Sequence, residues 1–127
     1  MKTYNKLFLV LLFTLSFLSC SVEGVDNYND IVGVWENIEI GEEFNTIHEL
    51  TFASNKTVKS VFRTDGLSEG VGSSVAIYSW SIEGDAITIE DDEHKWVYVI
   101  NSEKQFVIND GQQDLIYNKI SDVVENY

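Results

Sequence analysis

The sequence predicts an all-β protein, a small up-and-down antiparallel barrel of eight strands. From residue 31 onward, short runs rich in β-branched and aromatic residues recur at a spacing of roughly 8–12 residues, with turn-forming residues between them. After the N-terminal segment no stretch shows a sustained helical period, and the 127 residues include no proline. Eight short hairpin-linked strands close most economically into a barrel, because closure leaves no unpaired edge strand. A sandwich of the same strands is the alternative.

The first element is an N-terminal targeting segment. Lys2 and Lys6 form a positive head, and the apolar run from Leu7 to Leu18 is shorter than the roughly 20 residues of a membrane-spanning helix. A positive head followed by a short apolar core is typical of a secretory signal peptide. The only cysteine of the chain, Cys20, follows Ser19 at the end of this run. An ordinary signal peptide with an incidental cysteine is the alternative.

The end of this segment, Phe17-Leu18-Ser19-Cys20, resembles the signal of bacterial lipoproteins, in the relaxed form found in many Bacteroidetes envelope proteins. The resemblance implies that residues 1–19 are removed and that Cys20 is lipidated. It also implies an anchor in the cell envelope, in the outer membrane on its periplasmic or surface side. Residues 20–30 are then predicted to be the lipidated cysteine and a flexible tether, since the stretch is short, polar and turn-rich.

The charge of the mature chain limits its partners. Removal of 19 residues, two of them lysines, leaves 108 residues with 6 basic and 21 acidic side chains, a net charge of −15. This length suffices for one domain. Such a surface repels nucleic acid and anionic headgroups, so we expect no nucleic-acid partner and a membrane contact made through the lipid on Cys20.

The strands follow in a regular series. They are predicted at residues 31–40, 47–53, 57–63, 74–82, 86–91, 95–101, 105–109 and 114–120. Gly84-Asp85 and Asp110-Gly111 indicate hairpins because these residues tolerate positive φ. The longer connection from Thr64 to Ser73 is predicted to be a mobile loop at the barrel mouth, where binding is expected. The barrel domain is assigned to residues 31–121, and residues 122–127 form a C-terminal tail.

The entry into the first strand, Gly33-Val34-Trp35, resembles the Gly-x-Trp entry of lipocalins. Three later segments are similar to the short lipocalin-like domains of bacterial envelope lipoproteins: Tyr78-Ser79-Trp80, the hairpin at 84–89 and Tyr117-Asn118-Lys119. The resemblance implies that Gly33 and Trp35 pack at the closed end of the barrel. It also implies that Lys119 lies over the Trp35 ring in a cation–π contact worth ~1 kcal/mol or less.

The same resemblance implies a non-enzymatic binding module without a cofactor, which takes a small hydrophobic or amphipathic ligand at the barrel mouth. The candidate ligand-binding residues are the aromatic side chains of the fourth and sixth strands, Tyr78, Trp80, Trp96 and Tyr98. An eight-stranded barrel can also be filled by its own side chains. The alternative is therefore a filled scaffold that binds a protein partner in an envelope complex. Residues 96–100 are apolar on both faces, so one face is expected to meet a loop, a ligand or a partner.

Other candidate sites have weaker support. Residues 66–70 match Gly-x-Ser-x-Gly, but a nucleophile elbow requires a strand–turn–helix within a large α/β sheet, so no enzyme is predicted. The densest acidic run could coordinate Ca²⁺ but is interpreted as a solvated turn; its carboxylates are Glu90, Asp91, Asp92 and Glu93. His48 and His94 lack the spacing of a zinc site.

Overall fold

A computed structural model describes residues 27–66 and 72–124 of the chain. Its elements are α1 (Asn27–Ile31), β1 (Gly33–Ile40), β2 (Phe44–Phe52), β3 (Thr57–Gly66), β4 (Gly72–Glu83), β5 (Ala86–Glu90), β6 (Lys95–Ile100), β7 (Phe106–Asn109) and β8 (Asp114–Ser121). Each strand pairs antiparallel with the next, and β1 pairs with β8 to close the barrel. The predicted fold class is confirmed, and the sandwich alternative is excluded.

Several predicted features lie outside the described residues. They are the signal peptide, Cys20 and the first part of the tether, all before residue 27. Residues 67–71, which include Ser68 of the Gly-x-Ser-x-Gly match, and residues 125–127 also lie outside. These predictions therefore stay predictions.

The hairpin of β3 and β4 is longer than the sequence predicts. β3 continues to Gly66, β4 begins at Gly72, and their ladder extends as far as the pair Thr64 and Gly72. The predicted loop from Thr64 to Ser73 is therefore wrong at both ends. Its polar composition indicated a loop, but polar side chains also suit strand ends that face solvent on both sides of the wall.

The turns divide the barrel into two ends. One end, called the mouth, is formed among the described residues by the turns at 41–43, 91–94 and 110–113. The opposite end, called the base, is formed by the turns at 53–56, 84–85 and 101–105 together with α1. Because side chains alternate between the inside and the outside along each strand, the inward-facing residues of neighbouring strands form layers between base and mouth.

The hydrophobic core fills the base half of the barrel. Trp35 is 3 % exposed, and its ring stacks on that of Phe106 with the centroids 3.6 Å apart. Phe52 contacts Phe106 edge to face and is fully buried. The remaining buried apolar side chains are Ile31, Leu50, Val58, Trp80, Ile87, Ile89, Tyr98 and Tyr117. The base is therefore a packed interior with aromatic rings at its centre.

Helix α1 covers the base. Ile31 is buried in the core, and the Tyr28 ring stacks on Trp80 with the centroids 5.2 Å apart. The Tyr28 hydroxyl donates a hydrogen bond to the carbonyl of Ser54 in the β2–β3 turn. The prediction of a tether up to residue 30 is therefore wrong for residues 27–30. The local composition is polar, but the two apolar side chains bury against a surface that exists only after the barrel closes.

The contact expected between Lys119 and Trp35 is present. Lys119 Nζ lies 5.7 Å from the centroid of the Trp35 ring. The same ammonium donates a hydrogen bond to the carbonyl of Asp30 at 2.8 Å and forms an ion pair with Asp122 at 2.5 Å. Trp35 Nε1 donates to the carbonyl of Ile31 at 2.8 Å. The polar atoms of these two side chains thus hold α1 against the barrel.

Candidate functional site

A cavity of ≈ 210 Å³ lies inside the barrel, between the packed base and the mouth. Its walls come from five consecutive strands, β2 to β6. The lining side chains are His48, Leu50, Ser60, Tyr78, Ile89, Trp96 and Tyr98. The barrel is therefore filled at one end and hollow toward the other. We call this space the mouth cavity.

Three of the four candidate ligand-binding residues line the mouth cavity, namely Tyr78, Trp96 and Tyr98. The prediction is wrong for Trp80, which is 2 % exposed and packs at the base. Its indole Nε1 donates to the carbonyl of Ala53 in the β2–β3 turn at 3.1 Å. Strand alternation puts Tyr78 and Trp80 on the same face, but Trp80 lies two residues closer to the base, where α1 covers it.

The rings of Tyr78 and Trp96 form two sides of a corner in the cavity wall. Their centroids are 5.1 Å apart and their planes stand at 73°. His94, in the β5–β6 turn, stacks parallel to Trp96 with an interplanar angle of 6° and the centroids 5.4 Å apart. Perpendicular and offset arrangements of this kind are the favoured geometries of aromatic pairs. The His94 ring thus packs against Trp96 on the side of the mouth and helps to fix the position of the indole.

A chain of hydrogen bonds crosses the interior from β3 to β6. His48 Nε2 lies 2.7 Å from the Ser60 hydroxyl, and His48 Nδ1 lies 2.7 Å from the Tyr117 hydroxyl. The Tyr117 hydroxyl is also hydrogen-bonded to Tyr98. The sequence alone indicated no binding role for Ser60, His48 or Tyr117. Inward alternation on each strand marks them as interior positions, but only closure brings β2 and β8 within reach of each other.

Burial keeps these groups uncharged. It lowers the pKa of His48, and it raises the pKa of Tyr98 to about 12. The pKa of Tyr117 is also raised, first by burial and then by the nearby Tyr98 and Glu39. At neutral pH the interior therefore offers a neutral imidazole and protonated hydroxyls, which act as hydrogen-bond donors and acceptors without net charge.

Acidification is expected to destabilise the barrel through His48. Since the folded pKa of His48 lies below its ordinary 6.5, the unfolded chain binds the proton more tightly. Stability is thus highest above pH 6.5 and falls as the pH drops through that value toward the folded pKa, by at most about 1.4 kcal/mol per pH unit for one proton. Urea unfolding between pH 7.5 and 5.5 measures the slope, above the range in which free carboxylates titrate.

Two histidine variants separate this effect from general acid sensitivity. His48→Gln is expected to remove the slope, whatever its effect on stability at pH 7.5. His94→Gln removes the other histidine of the chain, which lies in the β5–β6 turn outside the interior hydrogen-bond chain, and serves as the control for loss of a histidine as such. A slope that survives in His48→Gln would contradict the assignment of the titrating group to the interior.

The carboxylate of Glu39 lies toward the interior of the barrel near the mouth. Glu39 lies on β1 opposite Thr46 and is half-buried, two residues beyond Asn37, which pairs with His48. Gln113 Nε2 donates a hydrogen bond to Glu39 Oε1 at 2.7 Å. The carboxylate is close enough to act electrostatically on the Tyr117 hydroxyl.

The mouth is strongly acidic. Its three described turns, 41–43, 91–94 and 110–113, contain six acidic residues and no lysine or arginine. The pKa values of Asp91 and Asp110 are lowered chiefly by backbone N–H groups of their own turns, so both carboxylates are charged at neutral pH. The mouth therefore presents a negative rim.

The acidic run considered for a metal is built as a turn. Asp91 Oδ1 accepts hydrogen bonds from the backbone N–H groups of Glu93 at 2.8 Å and His94 at 2.6 Å. It also lies 3.3 Å from His94 Nδ1. Within residues 27–66 and 72–124, no three or more histidine, cysteine, aspartate and glutamate side chains are grouped to hold a metal ion.

A second depression, of ≈ 330 Å³, lies at the base, and its wall includes two lysines and one aspartate. It is lined by Asp30, Ile31, Trp35, Ile100, Lys104, Phe106 and Lys119. It is larger than the mouth cavity, but Trp35 and Phe106 are almost fully buried and Lys119 is already bonded to Asp30 and Asp122. Two lysines contribute to its wall, whereas none contributes to the mouth cavity.

The outer wall carries exposed β-branched residues. Val97 and Val99 on β6 are 46 % and 51 % exposed, so the outer face of this strand is apolar and meets no described residue that covers it. Val99 pairs with Val107, and Val107 pairs with Ile116. The β1–β8 register, continued two residues beyond the pair Glu36 and Asn118, places Ile38 beside Ile116. These four residues, Val99, Val107, Ile116 and Ile38, are called the outer row.

The fold and the cavity define a class of protein, a small closed antiparallel barrel with an uncharged, aromatic-lined interior space. Comparison with known proteins adds no family: no family model, no curated protein and no solved structure matches the chain. Among the described residues, no helix has the length and apolar character needed to cross a membrane.

Proposed function

We propose that this protein is a lipid-anchored, non-enzymatic, lipocalin-like binding protein of the cell envelope that holds a small hydrophobic or amphipathic ligand. The mouth cavity is the observation that carries the proposal, because aromatic walls and a few converging polar groups are typical of small-molecule sites. Its ≈ 210 Å³ is below the roughly 300–1,000 Å³ of sites for drug-sized molecules. The ligand is therefore compact, on the scale of one ring.

Binding is favoured over catalysis although Ser60 and His48 are placed like a nucleophile and a base. In a serine triad a carboxylate stabilises the imidazolium that forms, whereas here a protonated tyrosine, Tyr117, occupies that position. An oxyanion also needs free N–H donors. The strand segments around Ser60 pair with β2 on one side and β4 on the other, which commits their backbone groups to the sheet.

The position of α1 supports a mouth that opens away from the membrane. α1 covers the base, and the chain reaches it from Cys20 through the six residues 21–26. Seven residue steps span at most roughly 25 Å when fully extended. A lipid on Cys20 would hold the base near the outer-membrane surface, while the mouth cavity stays accessible from the opposite side.

Native mass spectrometry tests the proposal. Residues 21–127, which include every described residue of the barrel, are exposed to an envelope extract, and the native mass is compared with the denatured mass. We expect a reproducible mass excess that denaturation releases. Ser60→Phe, which places a ring in the cavity, should lose the excess, and Ser81→Phe, on the outer face of β4, should keep it. A bare mass of the unchanged protein would contradict the proposal.

A second function is favoured by the outer row. Three of its four β-branched side chains are exposed, Val99, Ile116 and Ile38, which suits a barrel that acts as a protein-interaction module in an envelope complex. The same native spectra distinguish the two functions. A bare mass together with an added polypeptide mass, lost when Val99 is replaced by lysine, would favour the interaction module.

A further inference from the structure

The wall of the mouth cavity has a definite chemical preference. Three of its seven lining side chains are aromatic rings, Tyr78, Trp96 and Tyr98, and none is a lysine, arginine, aspartate or glutamate. An aromatic ring presents a negative face, which attracts a cation in a water-poor site. A lining of this kind gives no counter-charge to a carboxylate or a phosphate.

The charges at the two ends of the barrel also favour a cation in the mouth cavity. The described mouth turns carry six acids and no lysine or arginine, whereas the base turns carry Lys56 and Lys104 against Asp85 and Glu103. A cleft rimmed by charges of one sign raises the local concentration of the opposite ion and speeds its entry. Cations are therefore concentrated at the mouth, and anions are repelled from it.

Glu39 supplies a negative charge in the mouth half of the barrel, near the Tyr117 hydroxyl. Its carboxylate is held by Gln113 at 2.7 Å and lies near Tyr117, which is bonded to the cavity residue His48. The Ser60 hydroxyl, held by His48 Nε2 at 2.7 Å, adds an acceptor oxygen for an N–H or O–H of a ligand. Rings, acceptors and a nearby carboxylate are the groups that recognise an ammonium ion.

We propose that the mouth cavity binds a small organic cation, an ammonium group with apolar substituents. The inference rests on the proposed binding function and names the class of its ligand. Apolar substituents on nitrogen weaken hydration, so the rings replace water at little cost. An anionic amphiphile of the same size would instead find a counter-charge at the base depression, whose wall includes Lys104.

Three probes of similar size test the charge preference: choline, its neutral isostere 3,3-dimethylbutan-1-ol, and hexanoate. Each is titrated into residues 21–127 while the indole N–H signals of the tryptophans are followed by NMR. Trp96 reports the mouth cavity, and Trp35 reports the base depression. We expect choline to move the Trp96 signal and to bind at least tenfold more tightly than the neutral isostere at low salt.

Two matched variants tie the affinity to the proposed groups. Tyr78→Phe keeps the ring and should keep choline binding, whereas Tyr78→Leu should weaken it several-fold; Tyr78 is only half-buried, so both variants are expected to fold. Glu39→Gln should weaken choline binding and flatten its dependence on salt, while binding of the neutral isostere is unchanged.

Three other outcomes would contradict cation binding, and each has a different consequence for the proposed function. Equal affinity for choline and the neutral isostere at Trp96 would exclude recognition of charge but retain the cavity as a binding site. Tight binding of hexanoate with a shift of Trp35 would move the site to the base. If none of the probes shifts a signal at millimolar concentration, the cation inference fails, and the native mass of the extract-exposed protein decides the binding function separately.

Discussion

Replacing Trp35 by alanine is expected to lower the free energy of unfolding by about 3–5 kcal/mol, the usual cost of truncating a buried tryptophan. Trp35 is almost completely buried and stacks on Phe106 at 3.6 Å. The substitution also removes the hydrogen bond from Nε1 to the carbonyl of Ile31, which holds α1 to the base. Urea unfolding followed by far-ultraviolet circular dichroism measures the change without depending on tryptophan fluorescence.

Two further variants show whether the loss comes from packing at the base. Trp35→Phe keeps a ring against Phe106 and should recover part of the stability. Ile40→Ala changes a residue of the same strand that is 84 % exposed, so we expect a change within about 0.5 kcal/mol. A loss below about 1 kcal/mol in Trp35→Ala would contradict the packing described for the base.

Most of the fold could be predicted because strand patterns are local. The hairpin between β4 and β5 follows from Gly84, which has a φ of +59°, and from the alternation of Trp80 and Ile82 with serines. The helix α1 could not be predicted in this way. Tyr28 and Ile31 are two apolar residues in a polar stretch, and their burial depends on Trp80 and other base residues that are distant in sequence.

The candidate site could be predicted only in part for the same reason. Tyr78, Trp96 and Tyr98 were recognisable as inward-facing aromatic residues on two strands. The pairing of His48 with Tyr117 joins residues 69 positions apart and requires the closure of β1 on β8. Alternation along a strand assigns such polar residues to the interior face, but it does not show which interior partner each of them meets.

The two halves of the barrel differ in packing, and we expect them to differ in their effects on stability and on the proposed binding. The base buries aromatic rings around Trp35, Phe52 and Phe106, and a well-packed interior of this kind contributes most of the hydrophobic stabilisation. The mouth half leaves a space beside polar side chains, which costs stability and is available to a ligand. Substitutions at the base should therefore change unfolding, and substitutions at the mouth should change binding more than folding.

Replacing Gly33 by alanine is expected to lower the free energy of unfolding by about 2–5 kcal/mol. A Cβ at this position would overlap the carbonyl oxygen of Ser121 and lie 2.6 Å from Lys119 Cε, so the junction of β1 with β8 must shift. Overpacking of this kind costs about 1–3 kcal/mol. The φ of Gly33 is +143°, a conformation that costs a residue with a side chain a further 1–2 kcal/mol or so.

Gly111→Ala is the matched control, measured by the same urea unfolding. Gly111 also has a positive φ, +95°, but a Cβ there would have no neighbour within 4 Å. Its replacement should therefore cost only the conformational part, about 1–2 kcal/mol. The difference between the two variants isolates the close approach of β1 to Ser121 and Lys119. If Gly33→Ala costs no more than Gly111→Ala, the tight closure of the barrel at the base is contradicted, and with it the position of Lys119 over Trp35.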